Sequence, residues 1–480
     1  MSAAVSEFAL PIDPAGQALD ELLSLLAAEG PLDEEAVLAL FHPSFIAAVG
    51  PEPLLQGLEP HRATLRASTL LRAAGRAESD ISAVFSSPEG SWKFQLSVAE
   101  GQIAMLQAGA AGPTSGVSWE QLLASEPAPS GTTRLAPALA SALDALVDTG
   151  RLEQRLPAVV AAVADATGEI LWSRAAGVVA VDPLTPATTE MGLRIGSITK
   201  TMTAGLVLQL VDEGRISLDD DVNDHLTSYR VTGPGGEAIQ VRQLLSHTSG
   251  LGMRPGVEIG CPAGEEPALA DFYGPQLIGL QPPGNAFTYS NDAFAALGQL
   301  VADVTGLPLA ERAVSSLFDP LGMSSTSFVR DARTTRQLLD GVDVDAGELA
   351  PVPFHGVIVL GAGSVFSTLS DMALYGAAIH GRGRSPRGRF LSEEAFTTMT
   401  TPVPDVQGLP PGTEMCLGWL RVLLPDSYVL WHNGGWPGAR SELAVLPEHG
   451  YTVLLFTNTL DADIDGLCMQ LAATLSSPAS

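Results

Sequence analysis

The segment Arg194-Ile195-Gly196-Ser197-Ile198-Thr199-Lys200 carries a serine and a lysine three residues apart. Lys200 is one of only two lysines in the chain, which otherwise uses arginine for its positive charge. A lysine that is removed from water can lose its proton near neutral pH, whereas arginine cannot. The pair therefore predicts a serine nucleophile beside a group that handles its proton. The alternative is a serine that caps a helix, followed by a solvated lysine.

The residues after this pair favour a buried helix. Thr201–Val211 is apolar on nearly all sides, which is typical of a helix inside a core. Ser197 would then lie at the positive end of the helix dipole, where negative charge is favoured. This position suits attack by an alkoxide-like oxygen on an acyl carbon.

A second motif follows in Phe287-Thr288-Tyr289-Ser290-Asn291. Tyr289 and Asn291 are two residues apart, so in an extended stretch both side chains point the same way. A phenol near a lysine ammonium should have its pKa lowered from about 10, which would make Tyr289 a base toward Ser197. Asn291 would hydrogen-bond Lys200 and a substrate carbonyl or amide. A Tyr-x-Asn found alone is more often a capping loop.

A third motif, Trp431-His432-Asn433-Gly434-Gly435-Trp436, leads into a predicted strand. The glycines after His432 would let a substrate backbone approach a strand edge closely. A histidine found alone before a closing strand is more often structural than catalytic.

The order of these motifs resembles that of the class C β-lactamase-related serine hydrolases. Ser-x-x-Lys is followed by His247-Thr248-Ser249-Gly250-Leu251, then by Tyr-Ser-Asn after a Pro-Gly pair, and then by His-x-Gly. That group includes penicillin-binding-protein-like esterases, the D-aminopeptidase group of D-stereospecific peptidases, and certain acyltransferases. The resemblance covers residues 140–475 and does not extend to residues 1–130.

The resemblance implies a role for each residue of these motifs. Ser197 would be the acylated nucleophile and Lys200 its proton partner. Tyr289 would be the general base in acylation and would activate the deacylating water or alcohol. The other implied site residues are Asn291, which would orient Lys200 and the acyl side chain, His432 in the third motif, and the backbone N–H groups of Ser197 and Gly435 as the oxyanion hole.

One departure from the family pattern bears on the substrate. Many β-lactamases and transpeptidases carry Lys-Thr-Gly at the third motif, where the lysine helps to hold the substrate carboxylate. Here the position is His432, and the only other lysine, Lys93, lies far upstream. A neutral histidine binds a carboxylate more weakly, although Arg440 could compensate. Substantial β-lactamase activity is therefore not expected.

We expect an esterase-like serine hydrolase that cleaves a small-molecule ester or amide through a Ser197 acyl-enzyme. The alternatives are an acyltransferase acting on a natural-product-type acceptor, and a non-catalytic ligand-binding homologue. No Gly-x-Ser-x-Gly occurs, which argues against a lipase-type α/β hydrolase. No His-Glu-x-x-His occurs either, and we expect neither a metal nor another cofactor.

The expected fold class is α+β, with two folded units. Residues 1–110 predict a small α+β domain of helices followed by an antiparallel meander, which weakly resembles a ketosteroid-isomerase-like cone domain. Residues 111–134 are rich in Gly, Ala, Pro and Ser and predict a linker with a short helical interruption at Trp119–Ala124. Residues 135–480 predict a β-lactamase/transpeptidase-like domain, in which an antiparallel sheet built from both ends of the segment accompanies a helical subdomain.

Charge and cysteine content limit the partners. The formal net charge is −29 and the isoelectric point is about 4.5, which argues against binding to nucleic acid or anionic membranes. Cys261, Cys416 and Cys468 are far apart and suggest neither a disulfide framework nor a zinc site. The acidic first fifteen residues do not resemble a secretory signal, so a cytoplasmic location is expected. The oligomeric state is left open.

Overall fold

The computed structural model describes residues 14–66, 68–74, 80–87, 90–110, 115–181, 184–254, 257–334, 338–345, 348–460 and 462–476. In the N-terminal part of the chain, helices pack on a small antiparallel sheet. The first elements are α1 (Pro14–Ala27), α2 (Glu34–Ala39), α3 (Pro43–Val49), α4 (Pro51–Arg66), β1 (Thr69–Ala74), β2 (Asp80–Ser87), β3 (Gly90–Ala99) and β4 (Gln102–Ala110). The four strands pair antiparallel in sequence order.

This N-terminal sheet has its own core. Leu19, Leu22 and Leu26 recur at helical spacing along α1 and are buried against Phe94 and Leu96 on β3. The helices precede the meander, as the sequence predicts. The resemblance to a cone domain remains a proposal.

The second part of the chain begins with α5 (Trp119–Ser125), β5 (Ser130–Thr133), α6 (Pro137–Glu153), β6 (Ala158–Asp165), β7 (Ile170–Val181), β8 (Leu184–Pro186), β9 (Gly192–Arg194) and α7 (Thr199–Asp212). Its middle contains β10 (Arg230–Thr232), α8 (Val241–Leu245), β11 (Gly260–Pro262), α9 (Leu269–Tyr273), β12 (Gln276–Ile278), α10 (Asn291–Thr305), α11 (Leu309–Ala313) and α12 (Asp319–Leu321), with a π-helical turn at Val314–Phe318.

The remaining elements are β13 (Gly341–Asp345), β14 (Glu348–Val352), β15 (His355–Val357), α13 (Leu360–Gly363), β16 (Phe366–Thr368), α14 (Leu369–His380), α15 (Glu393–Thr400), β17 (Thr413–Met415), β18 (Leu420–Leu423), β19 (Tyr428–Trp436), β20 (Ala439–Leu446), β21 (Tyr451–Thr457) and α16 (Asp465–Ser476). Short 3₁₀ turns cover Gly196–Ile198 and Val222–Asp224.

A central antiparallel sheet joins the two ends of this part. Its strand order is β17-β18-β19-β20-β21-β6-β7-β5, and β8 pairs with β7. Helices α6 and α16 cover one face, while α7, α10 and α14 belong to the larger core on the other. Strand β6 is buried along nearly its whole length because both of its faces are covered. The predicted α+β class, with one sheet built from both ends and helices between, is confirmed.

The segment expected to be a linker is folded for much of its length. Residues 111–114 lie outside the described residues, but α5 begins at a capping box formed by Ser118 and Gln121. Trp119 and Leu122 are buried in a small cluster with Val178 and Leu349. β5 is an edge strand of the central sheet, paired with β7. Composition rich in small residues did not distinguish this edge segment from a free linker, because an exposed edge strand needs few large side chains.

Among the described residues, no single helix is both long and apolar enough to cross a membrane. One bent pair, 291–305 with 309–321, meets the criterion by length and composition only. Most of α10 is buried in the large core, which accounts for its apolar composition.

Candidate active site

Ser197 lies in a tight turn between β9 and the buried helix α7. The turn is 3₁₀ at Gly196–Ile198, and α7 begins at Thr199. Every residue of α7 from Thr199 to Leu210 is buried, as predicted from its apolar composition. Ser197 itself is partly exposed at the start of this helix. The hydroxyl is therefore accessible while its backbone is held in the core.

Lys200 lies one helical turn further on and is completely buried. Its Nζ is 2.9 Å from Ser197 Oγ, 2.8 Å from Asn291 Oδ1 and 2.8 Å from the carbonyl oxygen of Ala362. Burial lowers the pKa of Lys200 well below its usual range. A neutral amine can donate to the two fixed oxygens of Asn291 and Ala362 and keep its lone pair for the serine proton.

Tyr289 also reaches the nucleophile. Its hydroxyl is hydrogen-bonded to Ser197, and its ring centroid lies 4.8 Å from Lys200 Nζ. The expectation of a lowered phenol pKa is wrong: desolvation raises the pKa of Tyr289, and the hydrogen bond to Ser197 offsets this only in part. The ammonium assumed in that expectation is itself disfavoured by burial.

Asn291 is the first residue of α10 rather than part of an extended stretch. The Oγ of Ser290 caps the helix by accepting from the Ala293 N–H, 3.0 Å away. The two side chains nevertheless meet at the same amine, because Asn291 reaches Lys200 from the helix start and Tyr289 from the preceding loop.

His247 is a site residue that the sequence analysis did not single out, although it opens the quoted His-Thr-Ser-Gly-Leu motif. Its ring lies 4.5 Å from the Tyr289 ring and 5.1 Å from the Phe294 ring, between centroids. Its Nδ1 accepts from the Ser290 N–H at 3.1 Å. Burial, then the charge of Lys200, lower the pKa of His247. The ring is therefore neutral with its proton on Nε2, for which the described residues supply no partner.

His432 lies within β19, not before a closing strand as expected, and its side chain is buried. Its Nδ1 is 2.6 Å from the Asn433 carbonyl oxygen, to which it donates. Burial, followed by the charge of Lys200, lowers the pKa of His432 to about 3. The third motif therefore carries no positive charge at neutral pH.

The backbone of the Ser197 turn packs directly on β19. A β-carbon on Gly196 would lie 2.5 Å from the Gly435 amide nitrogen, and one on Gly434 would clash with the Ile195 carbonyl oxygen. Ser441 Oγ donates to that same carbonyl at 2.8 Å. The turn that carries Ser197 therefore packs against β19 at Gly434 and Gly435, and the oxyanion hole predicted from the Ser197 and Gly435 amides stays a prediction.

Arg440 does not supply the cation that His432 lacks. Its Nη2 is 2.8 Å from Asp465 Oδ1, and Asn433 Nδ2 donates to Oδ2 of the same carboxylate at 3.0 Å. Lys93 lies on β3 in the N-terminal sheet. No group of three or more metal-ligating side chains occurs within the described ranges.

The second part of the chain is similar to known proteins. A family model described as Beta-lactamase matches residues 139–467. The unguisins hydrolase ungD' of Aspergillus campestris (strain IBT 28561) is 27% identical over 320 residues, which cover 63% of this chain and 59% of that protein. Esterase EstB of Burkholderia gladioli is 34% identical over 214 residues, which cover 40% of this chain and 53% of the esterase. The chain thus spans less than two thirds of the length of these two relatives.

A solved structure has the same fold. The D-stereospecific amidohydrolase from Streptomyces sp. is 27% identical, with a TM-score of 0.52 over 71% of this chain and 99% of that one.

Proposed function

Because the chain belongs to the Beta-lactamase family, whose members are serine hydrolases, we propose that it cleaves an ester or amide through an acyl-enzyme on Ser197. The observation that carries this proposal is the 2.9 Å contact between Ser197 Oγ and a completely buried lysine amine. The names of the relatives support the substrate class, since they include a hydrolase, an esterase and an amidohydrolase.

In the acylation step, Ser197 Oγ bonds to the acyl carbon and its proton passes to Lys200 Nζ. The carbonyl oxygen becomes an oxyanion between the N–H groups of Ser197 and Gly435. When the bond to the leaving group breaks, the leaving oxygen or nitrogen takes a proton. That proton comes from the Tyr289 hydroxyl, which is replenished from Lys200, so both side chains return to their starting forms.

The opposite pKa shifts decide between the two candidate bases. Burial lowers the pKa of Lys200 and so favours its neutral amine, whereas the raised pKa of Tyr289 favours the protonated phenol. We therefore assign proton acceptance to Lys200 and proton relay to Tyr289, in place of a tyrosinate base. Asn291 holds the amine in position through its 2.8 Å contact.

In the deacylation step, a water oxygen bonds to the acyl carbon while its proton passes to Lys200. The bond to Ser197 Oγ then breaks, and Oγ takes the proton back. An alcohol or amine entering in place of water would make the protein an acyltransferase, because the chemistry is the same until this step.

The neutral third motif supports an ester or amide substrate over a β-lactam. His432 has no charge to offer a substrate carboxylate at neutral pH, and Arg440 is engaged by Asp465. The reaction centre itself needs no such anchor, since only the scissile carbonyl has to reach the two amides.

The test is intact-protein mass spectrometry after exposure to a fluorophosphonate, together with turnover of short p-nitrophenyl esters. We expect a mass increase and turnover in the wild type, and neither in Ser197→Ala. Ser324→Ala is a matched control because Ser324 is exposed in a turn outside the site. Labelling of Ser197→Ala would contradict the assignment. The absence of any adduct in the wild type would favour a non-catalytic ligand-binding homologue.

A further inference from the structure

A cavity of about 380 Å³ lies beside the candidate site, within the size range of small-molecule pockets. It is bounded by the ends of β9 and β19 and by the segment that connects β14 and β15. Its wall includes two arginines, three aromatic rings and one carboxylate, namely Arg194, Arg330, Phe354, Phe366, Trp436 and Asp340.

Arg194 is an unusual group to find in such a wall. Three arginines are buried in the described part of the chain: Arg62, Arg151 and Arg194. The first two form ion pairs, with Glu59 at 3.1 Å and with Glu126 at 2.5 Å. Arg194 has no carboxylate at ion-pair distance among the described residues, although acidic residues outnumber basic ones 54 to 25 in the chain. A buried charge without a counter-charge is costly.

The contacts of Arg194 hold it in place without neutralising it. Nη1 donates to the His355 carbonyl oxygen at 2.8 Å, and the guanidinium carbon lies 4.8 to 5.2 Å from the centroids of three rings, those of Phe354, Phe366 and Trp436. Burial lowers the pKa of Arg194 to about 10, so the group remains a cation at neutral pH.

Charges around the cavity leave its wall positive. The Arg330 guanidinium lies 4.9 Å from the Phe354 ring, is exposed, and has no ion-pair partner in the described ranges. Asp340 is the acidic residue in the wall, and the charge of Glu266 also acts on Arg194 from beyond ion-pair distance. The wall itself thus carries two cations and one carboxylate, with Glu266 as a further carboxylate outside the wall, in a chain of net charge −29.

Trp436 in the cavity wall lies two residues along β19 from Gly434, which packs against the turn that carries Ser197. Side chains two residues apart on a strand share a face. On this face Gly434 packs against Ile195, and Trp436 packs against Arg194. His432, on the same face two residues before Gly434, lies within electrostatic range of Lys200. A two-residue step is about 7 Å.

The positions of the proton-handling groups assign this side of the site to the acyl group. The leaving group must receive a proton from Tyr289 and Lys200, so it lies toward those residues and His432. The substituent on the other side of the scissile carbonyl then points along β19 toward Trp436. That substituent is the part that stays on Ser197 as the acyl-enzyme.

From this geometry we propose that the cavity binds a carboxylate at the far end of the acyl group, through Arg194 and Arg330. The substrate class would be mono-esters or mono-amides of dicarboxylic acids. The proposal rests on the proposed acyl-enzyme chemistry for its orientation, and on the unpaired buried arginine for its ligand.

The test compares two p-nitrophenyl esters of equal chain length, the adipic acid mono-ester and the neutral hexanoate. We expect kcat/KM in the wild type to favour the adipate ester. The ratio of the two kcat/KM values should fall about 10-fold in Arg330→Gln, as expected for loss of one charged hydrogen bond, and further in Arg194→Gln. Arg330 is exposed, so its replacement does not threaten folding. Arg384→Gln, an exposed arginine elsewhere, should leave the ratio unchanged.

The outcomes separate the two proposals. Equal ratios in the wild type and Arg330→Gln overturn the carboxylate site while leaving the hydrolase standing. If neither ester is turned over or acylates the protein, the acyl-enzyme proposal fails and adipate itself becomes the probe. A rise in melting temperature with adipate that is lost in Arg330→Gln then supports the carboxylate site, and no rise overturns it.

Discussion

Gly196 passes so close to Gly435 that a β-carbon on Gly196 would lie 2.5 Å from the Gly435 amide nitrogen. Gly196 also has a φ of +50°, a backbone conformation that residues other than glycine disfavour. This contact joins the turn that carries Ser197 to the strand that carries Gly435, whose amide we propose as the second oxyanion donor.

Replacement of Gly196 by alanine should therefore separate the two amides. We expect Gly196→Ala to lower kcat on p-nitrophenyl esters by about 100-fold, the typical loss when one oxyanion donor is misplaced. Gly214→Ala is the control, because Gly214 has a φ of +66° and a β-carbon there would meet nothing within 4 Å. Equal losses in the two variants would attribute the effect to backbone strain rather than to the oxyanion hole.

Replacement of Lys200 by arginine tests whether the proton must leave the side chain. Arginine places a permanent positive charge at the position and cannot act as a base. We expect Lys200→Arg to lose about 10²- to 10⁴-fold in kcat, the usual contribution of general acid–base catalysis. Lys93→Arg, at the other lysine of the chain, should retain full activity. A Lys200→Arg variant of near-normal kcat and native circular dichroism would rule out lysine as the base.

The pH profile distinguishes the two candidate bases. Because the pKa of Lys200 is lowered, its neutral amine becomes protonated only as the pH falls. Because the pKa of Tyr289 is raised, its hydroxyl stays protonated into alkaline solution. We expect kcat/KM to rise with pH through one ionisation to a plateau that holds at pH 8–9. Tyr289→Phe should lower the plateau without moving the acid limb. A rate that keeps rising to pH 10 would instead indicate a tyrosinate base.

His247 is expected to act by positioning Tyr289. The two rings are 4.5 Å apart, and His247 Nδ1 also accepts from the Ser290 N–H. His247→Ala should lower kcat about 10- to 100-fold with little change in KM, because the hydroxyl of Tyr289 would be less well aligned. In the pH profile of the His247→Ala variant, the acid limb should lie at the same pH as in the wild type. A shifted limb would mean that His247 itself titrates in catalysis; His449→Ala, on the turn after β20, is the control.

Glu442 makes stability depend on pH. It is completely buried on β20, where burial and the neighbouring Asp465 raise its pKa well above the usual range. The folded state therefore holds a proton that the unfolded state releases above its pKa of about 4.3, so stability falls as pH rises from there toward the folded pKa. Glu442→Gln mimics the protonated form, and should raise stability at pH 8 by about 1–3 kcal/mol.

Thermal melts at pH 5 and pH 8 measure this effect. The gain in stability from Glu442→Gln should be smaller at pH 5, because there the unfolded state releases less of the proton that folded Glu442 holds. Glu448→Gln, an exposed carboxylate on the following turn, should melt like the wild type at both values. A Glu442→Gln variant that is less stable at pH 8 would mean that the carboxylate is charged in the fold.

Local sequence was sufficient where a residue's role follows from its neighbours along the chain. The apolar run after Ser197 predicted the buried helix α7, and residues 1–110 predicted helices followed by an antiparallel meander. It was insufficient at Tyr289, where proximity to a lysine predicted a lowered pKa. Burial of Lys200 and desolvation of Tyr289 reverse that effect. The burial of Lys200 depends on residues such as Phe294 and Ala362, which come much later in the chain.

The sequence by itself determined the order and spacing of Ser197, Lys200, Tyr289, Asn291 and His432, and with it the family and the α+β class. The tertiary structure alone decided the burial of Lys200 and His432, the contact between Gly196 and Gly435, and the absence of an ion pair at Arg194 among the described residues. The physical reason is that a motif specifies which groups are present, whereas a charge or a proton responds to every atom nearby. Those atoms are brought together by the packing of β19 against the turn before α7.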